Sequence, residues 1–124
     1  LFFNCCRFTA DCYNGVVAST SPIIYPSSGN YPPNAFCNWR MEAAASMRVK
    51  ITFSSVSIES STTPYNDFLL VFDGPTCTSP ILAKITGTAT PTVTSSDNNT
   101  SLMFISNAVT QLTGFTATFA SSKL

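Results

Sequence analysis

Residues 47–53 alternate strictly between apolar and polar side chains. Successive side chains of a strand point to opposite faces, so this pattern predicts a strand with one buried and one solvated face. Residues 115–119 alternate in the same way. Residues 66–72 and 101–106 are apolar almost throughout, which is typical of strands covered on both faces. Several short strands of this kind predict an all-β sandwich.

Turn-forming residues separate the predicted strands. Asp73-Gly74-Pro75 follows the apolar run that ends at residue 72, and Asn14-Gly15 precedes Val16-Val17. The segment 21–34 contains four prolines and is predicted to be extended loop without regular structure. Residues 41–45 are the only candidate helix, and they are too few to be stable alone. We expect one domain over residues 12–124, preceded by an N-terminal arm over residues 1–11.

Charged residues make up only 10% of the 124 residues, and the net charge is zero. No basic patch is present that would neutralise phosphates, so nucleic acid is not an expected partner. No apolar run reaches the roughly 20 residues of a transmembrane helix. Histidine is absent, and the sequence has neither a GxSxG motif nor a phosphate-binding loop. We therefore assign no catalytic residue, no enzymatic activity and no required cofactor.

The five cysteines have no CxxC spacing and no histidine partners, which favours disulfide bonds over a zinc site. Disulfides persist in oxidising compartments, so we expect an extracellular protein, secreted or at the cell surface. The odd count leaves at least one cysteine free or bonded to another chain.

A series of short motifs occurs in a recognisable order. It consists of Gly15-Val16-Val17, Tyr25-Pro26, Tyr31-Pro32, Cys37-Asn38-Trp39, Asp67-Phe68-Leu69-Leu70-Val71-Phe72-Asp73-Gly74 and Gly114-Phe115-Thr116-Ala117. In this order and spacing the series resembles the CUB domain family over about residues 12 to 120. The resemblance implies an antiparallel β-sandwich of jelly-roll type and a non-catalytic recognition module. It also implies a disulfide between Cys12 and Cys37, whereas the positions of the family's second pair, near Pro64 and Thr86, hold no cysteine.

Many CUB domains carry a calcium site at one end of the sandwich. Carried over by motif, the resemblance places it at Tyr31, Glu59, Asp67 and Asn107. Calcium prefers six to eight hard oxygen ligands, which carboxylates, amides and carbonyls supply. Asn107 stands where the family has an aspartate, so one formal charge is lost. The alternative is that Glu59 and Asp67 are solvated loop carboxylates or pair with a nearby lysine or arginine.

The remaining cysteines are Cys5, Cys6 and Cys77. Neighbouring residues of an extended chain point in different directions, so a bond between Cys5 and Cys6 is disfavoured. An extended arm beginning at Cys12 is long enough to reach the end of the sandwich that carries Cys77. We therefore predict that Cys77 bonds either Cys5 or Cys6. The cysteine left over either bonds a second chain or is buried as a small apolar group.

Two overlapping N-glycosylation sequons lie at Asn98 and Asn99. A predicted turn contains them, and at most one of two adjacent sites would carry a glycan. The alternative is that asparagine simply suits the turn.

Two functions follow as hypotheses. The first is an extracellular recognition module that binds a protein or a glycan through its loops. The second is a subunit that binds itself, as a disulfide-linked or filamentous homo-oligomer, through the apolar arm and the odd cysteine.

Overall fold

A computed structural model describes residues 15–19, 21–60 and 67–123, and the described residues form nine strands in two sheets. The strands are β1 (Val16–Val17), β2 (Ile23–Tyr25), β3 (Phe36–Glu42), β4 (Met47–Ser57), β5 (Phe68–Phe72), β6 (Ile81–Ile85), β7 (Thr92–Thr94), β8 (Asn99–Ile105) and β9 (Gly114–Lys123). One sheet has the order β1-β3-β8-β5-β6, and the other has the order β2-β9-β4-β7. The predicted all-β sandwich is confirmed.

All strand pairs are antiparallel except β1 and β3, which run parallel. Strand β8 lies at the centre of the five-stranded sheet, between β3 and β5. Strands β4 and β9 form the longest pair, which is interrupted by an irregularity between Phe53 and Ser55. Such an irregularity bends a strand and increases its twist, which helps a sheet to close over a core.

The alternating strand β4 behaves as its sequence predicts. Val49, Ile51 and Phe53 are buried, whereas Lys50 and Thr52 are exposed. Strands β5 and β8 are buried on both faces over most of their length, as their continuous apolar sequence predicts.

Aromatic rings from both sheets meet in the core. The Tyr25 ring lies 5.6 Å from Trp39 and 5.4 Å from Phe104, measured between ring centroids. The Phe115 ring lies 5.4 Å from Trp39, in an edge-to-face arrangement. Edge-to-face contacts place a positive ring edge on a negative ring face and add to the free energy gained by burial. These rings join β2 and β9 of one sheet to β3 and β8 of the other.

Two local predictions were wrong. Ile23–Tyr25 forms β2 rather than loop, because Pro22 and Pro26 flank the strand and leave its own N–H groups available. It is an edge strand, paired with β9 alone, which is where proline-bounded strands are tolerated. The first two residues of the candidate helix, Met41 and Glu42, instead end β3, where they pair with Thr100 and Asn99.

Cys37 and Cys77 are both disulfide-bonded. Cys5, Cys6 and Cys12 lie outside the described residues, as does the arm over residues 1–11. The pairs Cys12–Cys37 and Cys77 with Cys5 or Cys6 therefore stay predictions, and so does the boundary at residue 12.

Gly114, at the start of β9, provides a test of the sandwich packing. Its φ is +87°, and a Cβ atom there would lie 2.0 Å from the Tyr25 carbonyl oxygen and 2.6 Å from Pro26 Cδ. We predict that Gly114→Ala lowers the free energy of unfolding by about 3 kcal/mol, because backbone strain and a steric clash add. The matched control is Gly29→Ala, where φ is +70° and an added Cβ atom would have no neighbouring atom within 4 Å. This control carries the strain alone and should cost about 1 kcal/mol in urea unfolding. Equal losses for the two variants would contradict the packing at Gly114.

Candidate functional site: an acidic cluster at strand ends

The carboxylate of Asp67, immediately before β5, is completely buried. The Tyr31 hydroxyl donates a hydrogen bond to Asp67 Oδ2 over 2.5 Å. The backbone N–H of Asn107 donates to Asp67 Oδ1 over 2.8 Å. A buried carboxylate requires such donors, because desolvation of an unpaired charge is very unfavourable. Asp67 therefore joins the loop after β2 to the loop after β8.

Glu59 lies next to this network, two residues after β4 ends. Its backbone N–H donates to the Tyr31 hydroxyl oxygen over 3.1 Å. Its side-chain Oε1 is buried and has no hydrogen-bond partner among the described residues. An unpartnered buried acceptor is unusual in a native protein and calls for a ligand or another compensating group.

Burial, together with the hydrogen bond to Asp67, raises the pKa of the Tyr31 phenol to about 12. The phenol therefore remains protonated at neutral pH. It donates its proton to Asp67 and accepts the Glu59 N–H, so it holds the two acidic residues in a fixed relation.

Asn107 completes the group of four residues that the family resemblance pointed to. Its side-chain Oδ1 accepts a hydrogen bond from the Val109 backbone N–H over 2.9 Å, which shapes the loop after β8. Its carbonyl oxygen accepts the Asn34 N–H over 3.0 Å. The structure thus brings Tyr31, Glu59, Asp67 and Asn107 together at one end of the sandwich. Within the described ranges, no group of three or more His, Cys, Asp or Glu side chains could hold a metal ion.

Thr86 was missed as a functional residue. Its Oγ1 lies 2.8 Å from the Glu59 carbonyl oxygen and 3.0 Å from the Asp67 carbonyl oxygen. A hydroxyl directly after β6 therefore fastens the backbones of both acidic residues. The sequence contained one signal for Thr86, which is its position, because the resemblance places a cysteine of the family's second disulfide near this residue. At this position the threonine hydroxyl lies within hydrogen-bond distance of both backbones.

The two sequon asparagines are both partly buried. The Asn98 side-chain amide donates to the Ala43 carbonyl oxygen over 3.2 Å, and the Asn99 amide donates to Asn98 Oδ1 over 3.2 Å. Glycosylation at Asn98 or Asn99 stays a prediction.

A separate groove of about 690 Å³ lies between the edge strands β1 and β2. Val16, Ile24 and Trp39 are among its lining residues, and it shares none with the acidic cluster. The groove is mainly apolar and none of its lining residues is charged, so it offers no carboxylate to a cation.

With the geometry established, comparison with known proteins identifies the family. The family model of the CUB domain matches residues 6–119, and this chain belongs to the CUB domain family. The human CUB and zona pellucida-like domain-containing protein 1 is 29% identical over 102 residues, which cover 82% of this chain and 16% of that protein. Human Tolloid-like protein 1 is 33% identical over 111 residues, which cover 88% of this chain and 11% of that protein. The chain thus spans about one sixth or less of these relatives.

Solved structures have the same fold. The CUB1-EGF-CUB2 domain of human MASP-1/3 superposes with a TM-score of 0.74 at 22% identity, covering 84% of this chain and 42% of that one. A structure of the MASP-1 CUB2 domain bound to Ca²⁺ has a TM-score of 0.72 at 18% identity and covers 87% of this chain and 98% of that one.

CUB domains of the related proteins are extracellular or cell-surface modules that mediate protein interactions, and they are generally non-catalytic. Some of the neighbours are parts of proteases. In the part of this chain that the structure covers, no helix has the length and apolarity needed to cross a membrane.

Thr86→Val tests whether the hydroxyl fastens the cluster. Valine has the shape of threonine but leaves the Glu59 and Asp67 carbonyl oxygens without this donor, so we predict a loss of about 1–3 kcal/mol in chemical unfolding. Thr86→Ser keeps the hydroxyl and should lose clearly less. Thr92→Val, at an exposed position of β7, controls for replacing a threonine by valine outside the cluster. It should leave the free energy of unfolding almost unchanged. A Thr86→Val protein as stable as Thr92→Val would contradict the assignment.

Proposed function

We propose that this chain is a calcium-dependent module for binding proteins outside the cell, with its binding surface at the acidic cluster. The observation that carries the proposal is the buried Glu59 Oε1, which has no hydrogen-bond partner among the described residues, together with the buried carboxylate of Asp67, which the Tyr31 hydroxyl links to the Glu59 backbone. A cation at this place would compensate both charges.

The donor set fits calcium. Glu59, Asp67 and Asn107 supply carboxylate and amide oxygens, which are hard ligands of the kind that calcium takes. Tyr31 acts as a positioning residue, since its proton is committed to Asp67 and it also accepts the Glu59 N–H. Thr86 holds the backbone of both acidic residues. The MASP-1 CUB2 domain, which has the same fold, was solved bound to Ca²⁺.

The module would recognise a basic side chain of its partner. The cluster has two carboxylates and no lysine or arginine within hydrogen-bond distance among the contacts of the described residues. A bound calcium would order the loops, and carboxylate oxygens not used by the ion would accept hydrogen bonds from a lysine or arginine of the partner. Within the family resemblance, acidic loops around such a site grip a basic side chain.

Calcium binding predicts a metal-dependent melting temperature. Extracellular calcium modules bind with dissociation constants of about 0.1–1 mM, so 10 mM calcium should add about 1–3 kcal/mol to the free energy of unfolding relative to chelator. Glu59→Gln should abolish most of this gain, because it removes the uncompensated carboxylate. Asn107→Asp should enlarge the gain by restoring a charge while keeping the acceptor for Val109.

The control for these variants is Glu42→Gln, an exposed carboxylate on β3 outside the cluster. It should leave the calcium-dependent shift unchanged. A melting temperature that is the same in calcium and in chelator would show that the cluster does not bind calcium. Equal shifts for Glu59→Gln and the unmodified chain would place the calcium elsewhere.

Recognition of a basic group has its own test. We predict that Nα-acetyl-lysine N-methylamide perturbs the NMR signals of Glu59, Asp67 and Asn107 in calcium but not in chelator. The norleucine analogue has the same aliphatic stem without the ammonium group, and it should perturb them much less, because charge-assisted hydrogen bonds are lost. Equal responses to the two compounds would contradict a cation-binding surface.

The alternative, a self-assembling subunit, depends on the arm and the odd cysteine. Both lie outside the described residues, so that hypothesis stays a prediction. No contact of the described residues favours it.

A further inference from the structure

The outer face of the five-stranded sheet, directed away from the other sheet, has a large apolar region. The pairing register aligns Phe36, Ile105 and Phe68 in one row across β3, β8 and β5, and Asn38, Met103 and Leu70 in the next. Phe72 follows at the end of β5. Apart from Asn38, these residues belong to an apolar cluster of their own, separate from the core between the sheets. We call it the outer cluster; it comprises Phe68, Leu70, Phe72 and Met103 with Phe36, Cys77 and Ile105 at its border.

The outer cluster is buried rather than solvated. Met103 is 1% exposed, Phe72 4%, Leu70 5% and Phe68 9%. The outward side chains of the other sheet are different, since Lys50, Thr52 and Thr118 are exposed. The nine described strands all belong to the two sheets, and none of them lies over this outer face. The Lys84 ammonium lies 5.0 Å from the centroid of the Phe68 ring and covers part of this face, so the rest of the cover is to be sought outside the described strands.

Two longer stretches of the chain lie outside the described residues. Residues 61–66 are polar except for Pro64 and Tyr65, whereas residues 1–11 contain Leu1, Phe2, Phe3 and Phe8. Apolar surface is covered best by apolar side chains, since the free energy gained rises with the apolar area removed from water. The chemistry of the cover points to the N-terminal segment.

Cys77 supplies an independent observation. It belongs to the border of the outer cluster, and it is disulfide-bonded. Cys37, the other described cysteine, lies in the core on the inner side of the same sheet, so the two belong to opposite faces. The bonding partner of Cys77 is thus to be sought among Cys5, Cys6 and Cys12, all of which lie in or next to the N-terminal segment.

We propose that residues 1–11 dock in cis on the outer cluster, with their phenylalanines against β5 and β8, and are fastened there by the Cys77 disulfide. The outer face is then an intramolecular docking surface, independent of the calcium proposal.

The reach of the chain favours docking within one molecule. The Gly15 carbonyl oxygen accepts the Arg40 N–H over 2.9 Å, which places the start of the described chain beside β3. Neighbouring strands are about 4.8 Å apart, so β5 lies about 10 Å beyond β3. Cys6 is nine residues before Gly15 and can extend about 30 Å. A second copy is not needed to bring the segment to this face.

The three methionines of the chain make a built-in test. Met103 lies in the outer cluster, Met41 lies in the core between the sheets, and Met47 is only partly buried. Oxidation of methionine by hydrogen peroxide follows exposure. In the unmodified chain, peptide mass spectrometry should find Met103 oxidised at least about tenfold more slowly than Met47, with Met41 equally protected.

The variant Phe2→Ser/Phe3→Ser/Phe8→Ser should release the cover. Met103 should then be oxidised at least about tenfold faster, while Met41 stays protected because the sandwich itself is intact. The matched control is Ile24→Ser/Val109→Ser, which changes side chains that are 57% and 64% exposed and lie outside the outer cluster. It should leave Met103 protected. Rapid oxidation of Met103 in the unmodified chain, or continued protection of Met103 in the triple variant, would overturn the proposal.

A disulfide map of the unmodified chain decides the case if the triple variant unfolds and exposes Met41 as well. Chains made from a mixture of light and heavy isotopes should give a peptide that links Cys77 to Cys5 or Cys6 of the same isotope. A Cys77 bond to Cys12 would contradict the docking geometry. A linked peptide with one light and one heavy half would show that the segment is exchanged between two copies, which would overturn docking in cis.

Discussion

The apolar interior between the two sheets is the constraint on which the rest of the structure depends. Each sheet supplies aromatic and branched side chains that alternate with residues on its other face, and the rings of Tyr25, Trp39, Phe104 and Phe115 interlock across the gap. This packing fixes the relative position of the sheets and therefore the place at which their strands end. The loops that carry the acidic cluster are held where they are because these strand ends are held.

The acidic cluster illustrates how a rigid sandwich builds a polar site. Glu59 follows a strand of the four-stranded sheet, whereas Asp67 and Asn107 adjoin strands of the five-stranded sheet. Tyr31 bridges them with one hydroxyl, which donates to one acidic side chain and accepts from the backbone of the other. Thr86 serves the same purpose from a third loop. Hydrogen bonds among buried and partly buried groups thus hold these loops together.

The two faces of the five-stranded sheet belong to two different apolar clusters. Its inner face forms the common core, while its outer face is apolar in the rows centred on β8 and β5. A sheet with two apolar faces is stable only if both are covered. The acidic cluster at the strand ends and the outer cluster on the sheet share no side chains, so the partner proposed for the loops and the segment proposed for the sheet would occupy separate surfaces.

Much of this architecture follows from the sequence. Period-two alternation identified β4 and β9, continuous apolar runs identified β5 and β8, and the order of motifs pointed to the four residues of the cluster. The sequence could not identify β2, since a strand bounded by prolines gains its hydrogen bonds only from β9, which is distant in the chain. Nor could it reveal Thr86, whose hydroxyl matters because tertiary folding brings it to two carbonyl oxygens. Local side-chain patterns determined which segments are strands and which faces are apolar. Only the tertiary structure decided which strand ends meet, because pairing between distant segments depends on packing that no local pattern encodes.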